Sequence, residues 1–273
     1  MTINCKGTLV DISSPKVMGI LNITPDSFFD GGRYKNDTQI LSQVEKMLTE
    51  GATFIDVGAY SSKPGAIHIS EDEELKRIVP VIDLLLKNFP EIILSIDTFR
   101  SKVAQETIHT GAAIINDISG GKMDNDMFAT VANLKVPYIL MHMQGTPQNM
   151  QQNPIYKDVT KEIIFFFAEQ IRKLQQLMVN DIIIDIGFGF GKTIDHNFEI
   201  LKNLELFKSL DAPILAGISR KSMLYKTLGI SAQEALNATT SANTIALLNG
   251  AHILRVHDVK EAMEAVKIVS QVL

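Results

Sequence analysis

TFIDV (residues 53–57), SEDEELKRIVPVIDLLLKNF (70–89) and IILSID (92–97) together decide the fold class. The first and third segments are short, almost continuous apolar runs, each carrying an aspartate: Asp56 on the first and Asp97 directly after Ile92–Ile96. Runs of this kind suit parallel strands buried on both faces. Between them Leu75, Ile78, Val79, Ile82, Leu85, Leu86 and Phe89 recur at three- and four-residue steps, which draws one apolar stripe along a helix. Ser70 and Glu73 have the spacing of a capping pair that opens that helix. The three segments therefore read as one β–α–β unit.

The same rhythm runs through the chain. Strand-like runs fall at Val17–Leu21, Thr53–Val57, Ile92–Ile96, Ala113–Asn116, Val136–Met141, Ile182–Asp185, Pro213–Ala216 and Ala251–Val256. Helical stripes are carried by Val159, Ile163, Phe166, Phe167, Ile171, Leu174, Leu177 and Met178, and by Val259, Ala262, Met263, Val266 and Val269, with Asp258 and Glu261 as a second capping pair. Eight alternations predict a closed (β/α)8 TIM barrel, with an open doubly wound sheet as the alternative. Ile3 to Ile12 reads as a β-hairpin turning at Lys6-Gly7, placed to plug the N-terminal mouth. No linker, repeat or low-complexity tract divides residues 1–273, so a single domain is expected.

Composition narrows the function. The 273 residues are 45% hydrophobic and 21% charged, as in a globular protein with a sizeable core. A net charge of −5 argues against a nucleic-acid partner. No apolar run approaches the roughly 20 residues needed to span a bilayer, and Met1 to Pro15 lacks the pattern of a secretory signal. Cys5 is the only cysteine, which excludes an internal disulfide and a Cys-rich metal site. A cytoplasmic protein is the expectation.

Polar residues gather at the strand ends: Asn22, Asp56, Asp97, Asn116-Asp117, His142, Asp185, Ser219-Arg220-Lys221, and Arg255 with His257. In a β/α barrel these ends converge on the face where the loops build the active site. A single strand-end aspartate is as often a turn former, but eight such ends point to a polar site. Asn116 and Asp185 offer a neutral and an anionic partner to a flat heterocycle with an amino N–H edge. Lys221, Arg255 and His257 bring positive charge suited to phosphate or carboxylate oxygens. The glycine-rich stretch Asp185 to Thr193 is not a Walker A loop, because Ile186 stands where that motif needs glycine. Its glycines suit a tight loop that lets a flat ring approach the backbone. Met141 and Met143 read as packing, His142 as orienting its neighbours, and Asp56 as standing behind the site. Phe165–Phe167 belong to a helix stripe.

In this order the segments resemble dihydropteroate synthases. The resemblance rests on Met18 to Gly32 (MGILNITPDSFFDGG), Ser61-Ser62-Lys63-Pro64-Gly65, Ser95 to Thr98, Asn116 to Gly120, Met141 to Pro147, the glycine-rich stretch, Ser219 to Ser222, and Arg255 to His257. It implies a transferase that joins 6-hydroxymethyl-7,8-dihydropterin pyrophosphate to 4-aminobenzoate, and a homodimer that sulfonamides inhibit. Asn22 would help hold Mg²⁺ against the pyrophosphate, with Arg255 and His257 binding that group directly. Asp97, Asn116, Asp185 and Lys221 would grip the pterin, with Gly217 beside them. Ser222 would hold the aminobenzoate carboxylate, with Phe190 and Lys221 lining the slot. Phe28, Ser62 and Pro64 would come from the two loops that close over the reactants. Asp97, Lys221, Arg255 and His257 would serve the chemistry, which the resemblance implies begins with departure of pyrophosphate.

The resemblance is not uniform. Lys63 replaces a usual arginine, Gly58-Ala59-Tyr60 a usual Gly-Gly-Glu, Ile186 a proline, Phe188 a smaller aliphatic and Ile218 a threonine. Two other functions share much of the pattern: a methyltransferase moving a methyl from methyltetrahydrofolate to a corrinoid, and a catalytically silent pterin-binding paralogue.

Overall fold

The computed structural model describes residues 1–23, 33–61 and 68–272. Among these residues there are ten strands: β1 (Thr2–Cys5), β2 (Thr8–Asp11), β3 (Lys16–Asn22), β4 (Phe54–Gly58), β5 (Leu94–Asp97), β6 (Ile114–Asp117), β7 (Tyr138–Met141), β8 (Ile182–Asp185), β9 (Ile214–Ala216) and β10 (Ile253–Val256). The helices are α1 (Arg33–Thr49), α2 (Glu71–Asn88), α3 (Ser101–Thr110), α4 (Met127–Leu134), α5 (Val159–Gln176), α6 (Ile194–Lys202), α7 (Ser222–Leu228), α8 (Leu236–Leu248) and α9 (Val259–Val269), with a 3₁₀ segment at Leu204–Leu210. Strands β3 to β10 run parallel around a closed barrel, because β10 returns to pair with β3 through Arg255 opposite Met18. That closure removes the open-sheet alternative. Among the described residues no helix is long and apolar enough to cross a membrane.

Side chains on a strand alternate between faces, and the barrel uses both. Val17, Ile55, Ile96, Ile115, Tyr138, Leu140, Ile184 and Leu254 point outward into one apolar mass with the helices. Met18, Phe54, Ile114, Ile139, Ile183, Leu215 and Ile253 point inward and fill the lower barrel. The N-terminal hairpin belongs to this inner cluster through Ile3, Cys5 and Ile12. Its turn is tight: Lys6 and Gly7 both take positive φ, 53° and 89°. The hairpin is tied to the barrel floor by Asn4 N–H donating to Asp181 (3.1 Å) and Lys6 Nζ donating to the Gly111 carbonyl (3.0 Å). It plugs the N-terminal mouth.

Several local expectations are corrected. The strands around Pro137 and Pro213 begin one residue after the proline, which has no N–H for the ladder. Helix α5 buries Val159, Ile163, Phe167, Ile171 and Leu174 but stops at Gln176. Leu177 is only its cap, and Met178 turns out into solvent with φ 63° as the chain swings toward β8. Ser70 caps α2 as its spacing suggests, accepting from Glu73 N–H at 3.2 Å. Asp258 does not cap α9 with its side chain. Both its oxygens are taken by the Arg220 guanidinium, each at 2.8 Å, a forked pairing that a backbone N–H does not displace.

Candidate active site

Two residues beyond the inward apolar position, four strands turn polar and a fifth turns to glycine, while β3 and β7 continue apolar with Ile20 and Met141. Asp56 follows Phe54, Asn116 follows Ile114, Asp185 follows Ile183, Gly217 follows Leu215, and Arg255 follows Ile253. The alternation that fills the barrel floor thus raises a polar layer above it. It also separates neighbours in sequence: Asn116 faces in, whereas buried Asp117 takes the Tyr138 hydroxyl (2.6 Å) and the Ser119 and Gly121 N–H groups. Asp117 is therefore structural.

The layer is joined by a chain of hydrogen bonds. Asn116 Nδ2 donates to Asp56 Oδ2 at 3.0 Å. Arg255 Nε donates to the same oxygen at 2.6 Å, and its Nη2 donates to Asp97 Oδ2 at 2.9 Å. Asp56 is fully buried, so this pairing is what makes its charge tolerable. Asp56 thus stands behind the site as a hub. Three buried polar atoms of this layer, Asp56 Oδ1, Asn116 Oδ1 and Ser95 Oγ, have no hydrogen-bond partner among the described residues. Each such orphan costs about 1–3 kcal/mol, a debt that a ligand with N–H or O–H groups would relieve.

Asp185 completes the heterocycle side. Its Oδ1 accepts from Gly187 N–H (2.8 Å). A Cβ built on Gly217 would lie 3.8 Å from Oδ2 and 3.9 Å from both Lys221 Nζ and Arg255 Cβ, so these three groups surround that glycine. A Cβ on Gly58 would lie 3.6 Å from both Asn22 Oδ1 and Asp97 Oδ2. Lys221 Nζ donates to the Phe188 carbonyl and stands 4.8 Å from the Phe190 ring centre. Burial pushes the Asp97 carboxyl up to about 7, against the pull of Arg255. Burial likewise brings the Lys221 ammonium down to about 8 in spite of Asp185.

The cationic side differs from its expected form. His257 is exposed at the mouth. Partial desolvation and then the Arg255 charge hold its imidazole down to about 4, so it is neutral at pH 7. Ser219 Oγ accepts from His257 N–H (3.2 Å) and lies 3.0 Å from Nδ1. With the hydroxyl proton donated to Nδ1, the ring proton would sit on Nε2, facing away from Ser219. Arg220, in a left-handed conformation (φ 54°), turns away to Asp258 and takes no part. The mouth holds two cations, Lys221 and Arg255, and a neutral histidine donor, rather than three cations.

The glycine-rich loop also has a different rationale. Gly187 and Gly191 have positive φ, and a Cβ on either would collide with the backbone of the neighbouring loop, at the His142 and Gln144 carbonyls. Those glycines admit a protein segment rather than a ring. Only Gly189 borders the site, where a Cβ would lie 3.4 Å from the Lys221 chain. Lys192, at the P-loop lysine position, folds back into its own loop and makes no phosphate site.

An enzyme family is indicated on this geometry, and comparison with known proteins agrees. The family model described as pterin binding enzyme matches residues 18–257. Dihydropteroate synthase of Escherichia coli K12 is 42% identical over 275 residues, spanning 100% of this chain and 97% of its own. This chain belongs to the dihydropteroate synthase family. The crystal structure of Yersinia pestis dihydropteroate synthase with a sulfonamide drug superposes with a TM-score of 0.93 at 42% identity, covering 100% and 99% of the two chains. That of the Xanthomonas albilineans enzyme with 4-aminobenzoic acid gives 0.92 at 34% identity, covering 99% and 97%. Membership in this family removes the corrinoid methyltransferase as the preferred alternative.

Within the family frame, the structure brings Asn22, Asp97, Asn116, Asp185, Phe190, Gly217, Lys221, Arg255 and His257 to one mouth, with Ser222 opening α7 directly after Lys221. Phe28, Ser62 and Pro64 lie outside the described residues. His142 is not at the mouth. It is buried beside Phe166 and Phe167, with Nδ1 3.0 Å from Lys192 Nζ. Met141 and Met143 pack with Tyr60, Phe99 and Ile118 against Phe190.

Sequence reading missed a second buried network beside Asp97. Glu74, read only as part of a helix, is fully buried on α2 and is paired with Arg100 Nη1. Thr98 Oγ1 donates to Glu74 at 2.7 Å, and Arg100 Nη2 donates to the Ile69 carbonyl at 2.6 Å. Tyr60, at the unusual Gly-Ala-Tyr position, stands edge-on to Phe99 (5.0 Å) and lies 3.2 Å from His68 Nδ1. The signal in the sequence was a glutamate on the apolar face of an amphipathic helix.

Proposed function

We propose that this protein condenses 6-hydroxymethyl-7,8-dihydropterin pyrophosphate with 4-aminobenzoate to form 7,8-dihydropteroate and pyrophosphate, a transferase step of folate biosynthesis. The observation that carries the reading is the unmatched Asn116 Oδ1 on β6 together with Asp185 on β8, both buried in the polar layer of the barrel, with Asp185 next to Lys221. An amide oxygen and a carboxylate at that depth fit the N–H edge of a pterin, and the paired hydrogen bonds fix its plane.

The residues divide the chemistry. Asp185, Asn116 and Lys221 hold the ring. Arg255 Nη1, which has no acceptor among the described residues, and His257 Nε2–H are donors for the pyrophosphate. The C–O bond to pyrophosphate breaks with its electron pair on the leaving group. The aryl amine lone pair then forms the C–N bond, and the ammonium proton is lost to solvent. Asp97, at the layer above Asp56, offsets positive charge that develops on the pterin methyl carbon. Ser222 and Lys221 meet the aminobenzoate carboxylate, and Phe190 lines its ring.

A magnesium ion fits this mouth in one way. Among the described residues no group of three His, Cys, Asp or Glu side chains is placed to hold a metal. The Asn22 amide oxygen, which lies near Asp97 at the mouth, would be the protein ligand, and Mg²⁺ with one protein oxygen and the rest from phosphate and water is a common arrangement. When bound there it would neutralise charge on the departing pyrophosphate. Exposed Leu228, Ile245, Leu248 and Ile268 on α7, α8 and α9 support a homodimer through the C-terminal helices. A lone buried cysteine is in keeping with a reducing cytoplasm. The family's structures with sulfonamide support inhibition of this protein by the same drugs.

Incubation with both substrates and Mg²⁺, followed by chromatography, tests the reading. Dihydropteroate is expected, with EDTA abolishing turnover. Pyrophosphate release without dihydropteroate, or pterin binding without either product, would overturn it in favour of the silent paralogue.

A further inference from the structure

The loop joining β8 to α6 is held in an unusual way: five successive backbone carbonyls, Gly187 to Gly191, each accept a side-chain hydrogen bond. Lys192 Nζ donates to Gly187 (2.9 Å) and to Phe190 (3.0 Å). Lys221 takes the Phe188 carbonyl. Gln151 Nε2 donates to Gly189 (2.6 Å), and the Tyr156 hydroxyl donates to Gly191 (2.8 Å). On the donor side Asn197 Oδ1 accepts from Gly189 N–H at 2.7 Å. A loop bearing three glycines has a wide choice of conformations. Here side chains select one, and Phe190 is the residue whose position that choice fixes.

The grips come from two sides. Lys192 works from beneath, buried, and also donates to the His142 carbonyl (3.2 Å). Gln151 and Tyr156 work from outside, on the segment that follows β7, and neither touches Asn116, Asp185 or Arg255. That segment is itself anchored to the loop, because Gly191 has no room for a Cβ against Gln144. The Phe190 ring therefore stands beside Lys221 under restraint from residues that do not face the pterin.

We propose that Gln151 and Tyr156 are positioning residues for the second substrate: they pin the outer carbonyls of the Gly187–Gly191 loop and so set the wall that Phe190 forms. The inference rests on the synthase reading given above. It separates the two substrates, since Asn116 and Asp185 stand on strands β6 and β8, whose ladder does not depend on either residue, and Lys221 meets the loop at the Phe188 carbonyl, which neither residue touches.

Steady-state kinetics of the full chain with Gln151→Ala and Tyr156→Phe test it. Gln151 is exposed and Tyr156 only half-buried, so both variants leave the core intact. Each is expected to raise KM for 4-aminobenzoate about 3- to 10-fold, the value of one hydrogen bond, with kcat and KM for the pterin pyrophosphate within about twofold. Gln151→Lys, which keeps a donor, is expected to stay near the parent value. Equal rises in both KM values, or no rise in either, would overturn the inference while leaving the synthase reading intact. An inactive parent protein would instead defeat that reading.

Discussion

Arg255 and Asp97 lie 158 positions apart in the chain and 2.9 Å apart in the barrel, with Arg255 anchored on its other edge by Asp56. The pair links the pterin layer to the mouth. One residue gives the leaving group a donor, and the other meets the charge left behind. Neither works alone, because removing the arginine would strand two carboxylates in a buried layer, at a cost of several kcal/mol.

The ionisations of this cluster set the pH dependence. Asp97 is raised to about 7 by burial, so it loses its charge as the pH falls through that value. Lys221 is lowered to about 8 by burial, so it loses its charge as the pH rises through that value. kcat/KM for the pterin substrate is expected to rise through about 7 and to fall beyond about 8. Asp97→Asn should lower the plateau and remove the acid limb. An unchanged acid limb in that variant would show that another group controls it.

Gly217 can be tested without disturbing the fold. Its φ lies outside the left-handed region and the nearest atoms to a built Cβ are 3.8 Å away, so Gly217→Ala is accommodated. The methyl group would stand among Asp185, Lys221 and Arg255. Pterin affinity measured by fluorescence titration is expected to drop about tenfold or more, with an unaltered melting temperature. Unchanged affinity would mean the ring does not reach that position.

The buried Glu74–Arg100 pair makes a stability prediction. Arg100→Met takes the ionic partner from a buried Glu74 whose carboxyl burial already pushes up, at a cost of about 3–5 kcal/mol in urea unfolding. Adding Glu74→Gln should recover part of that loss, since the two residues are coupled. Strictly additive effects would contradict the coupling.

How much of this was legible depends on the length scale of the cause. Barrel strands are recognisable because burial on both faces makes them continuously apolar, and their polar ends mark the mouth. Alternation gave Asn116 and Asp185 their inward direction, though only the ladder shows that Asp117 points the other way. Met178 was misread because a helical stripe does not record where the chain must turn. His257 reads as a cationic residue by type in the sequence, and only the fold supplies the desolvation and then the Arg255 charge that hold it neutral. The roles of Lys192, Gln151 and Tyr156 were invisible, since a side chain that holds a carbonyl leaves no pattern in either partner.

Closing the lower mouth with the hairpin has a practical corollary. Cys5 is the sole sulfhydryl of the chain, lies on the inner side of that hairpin, and has its thiol pushed up to about 12 by burial. A thiol reagent can reach it only when the plug lifts. The rate of modification in native buffer therefore clocks the opening of the barrel floor, and does so from the end of the molecule remote from catalysis.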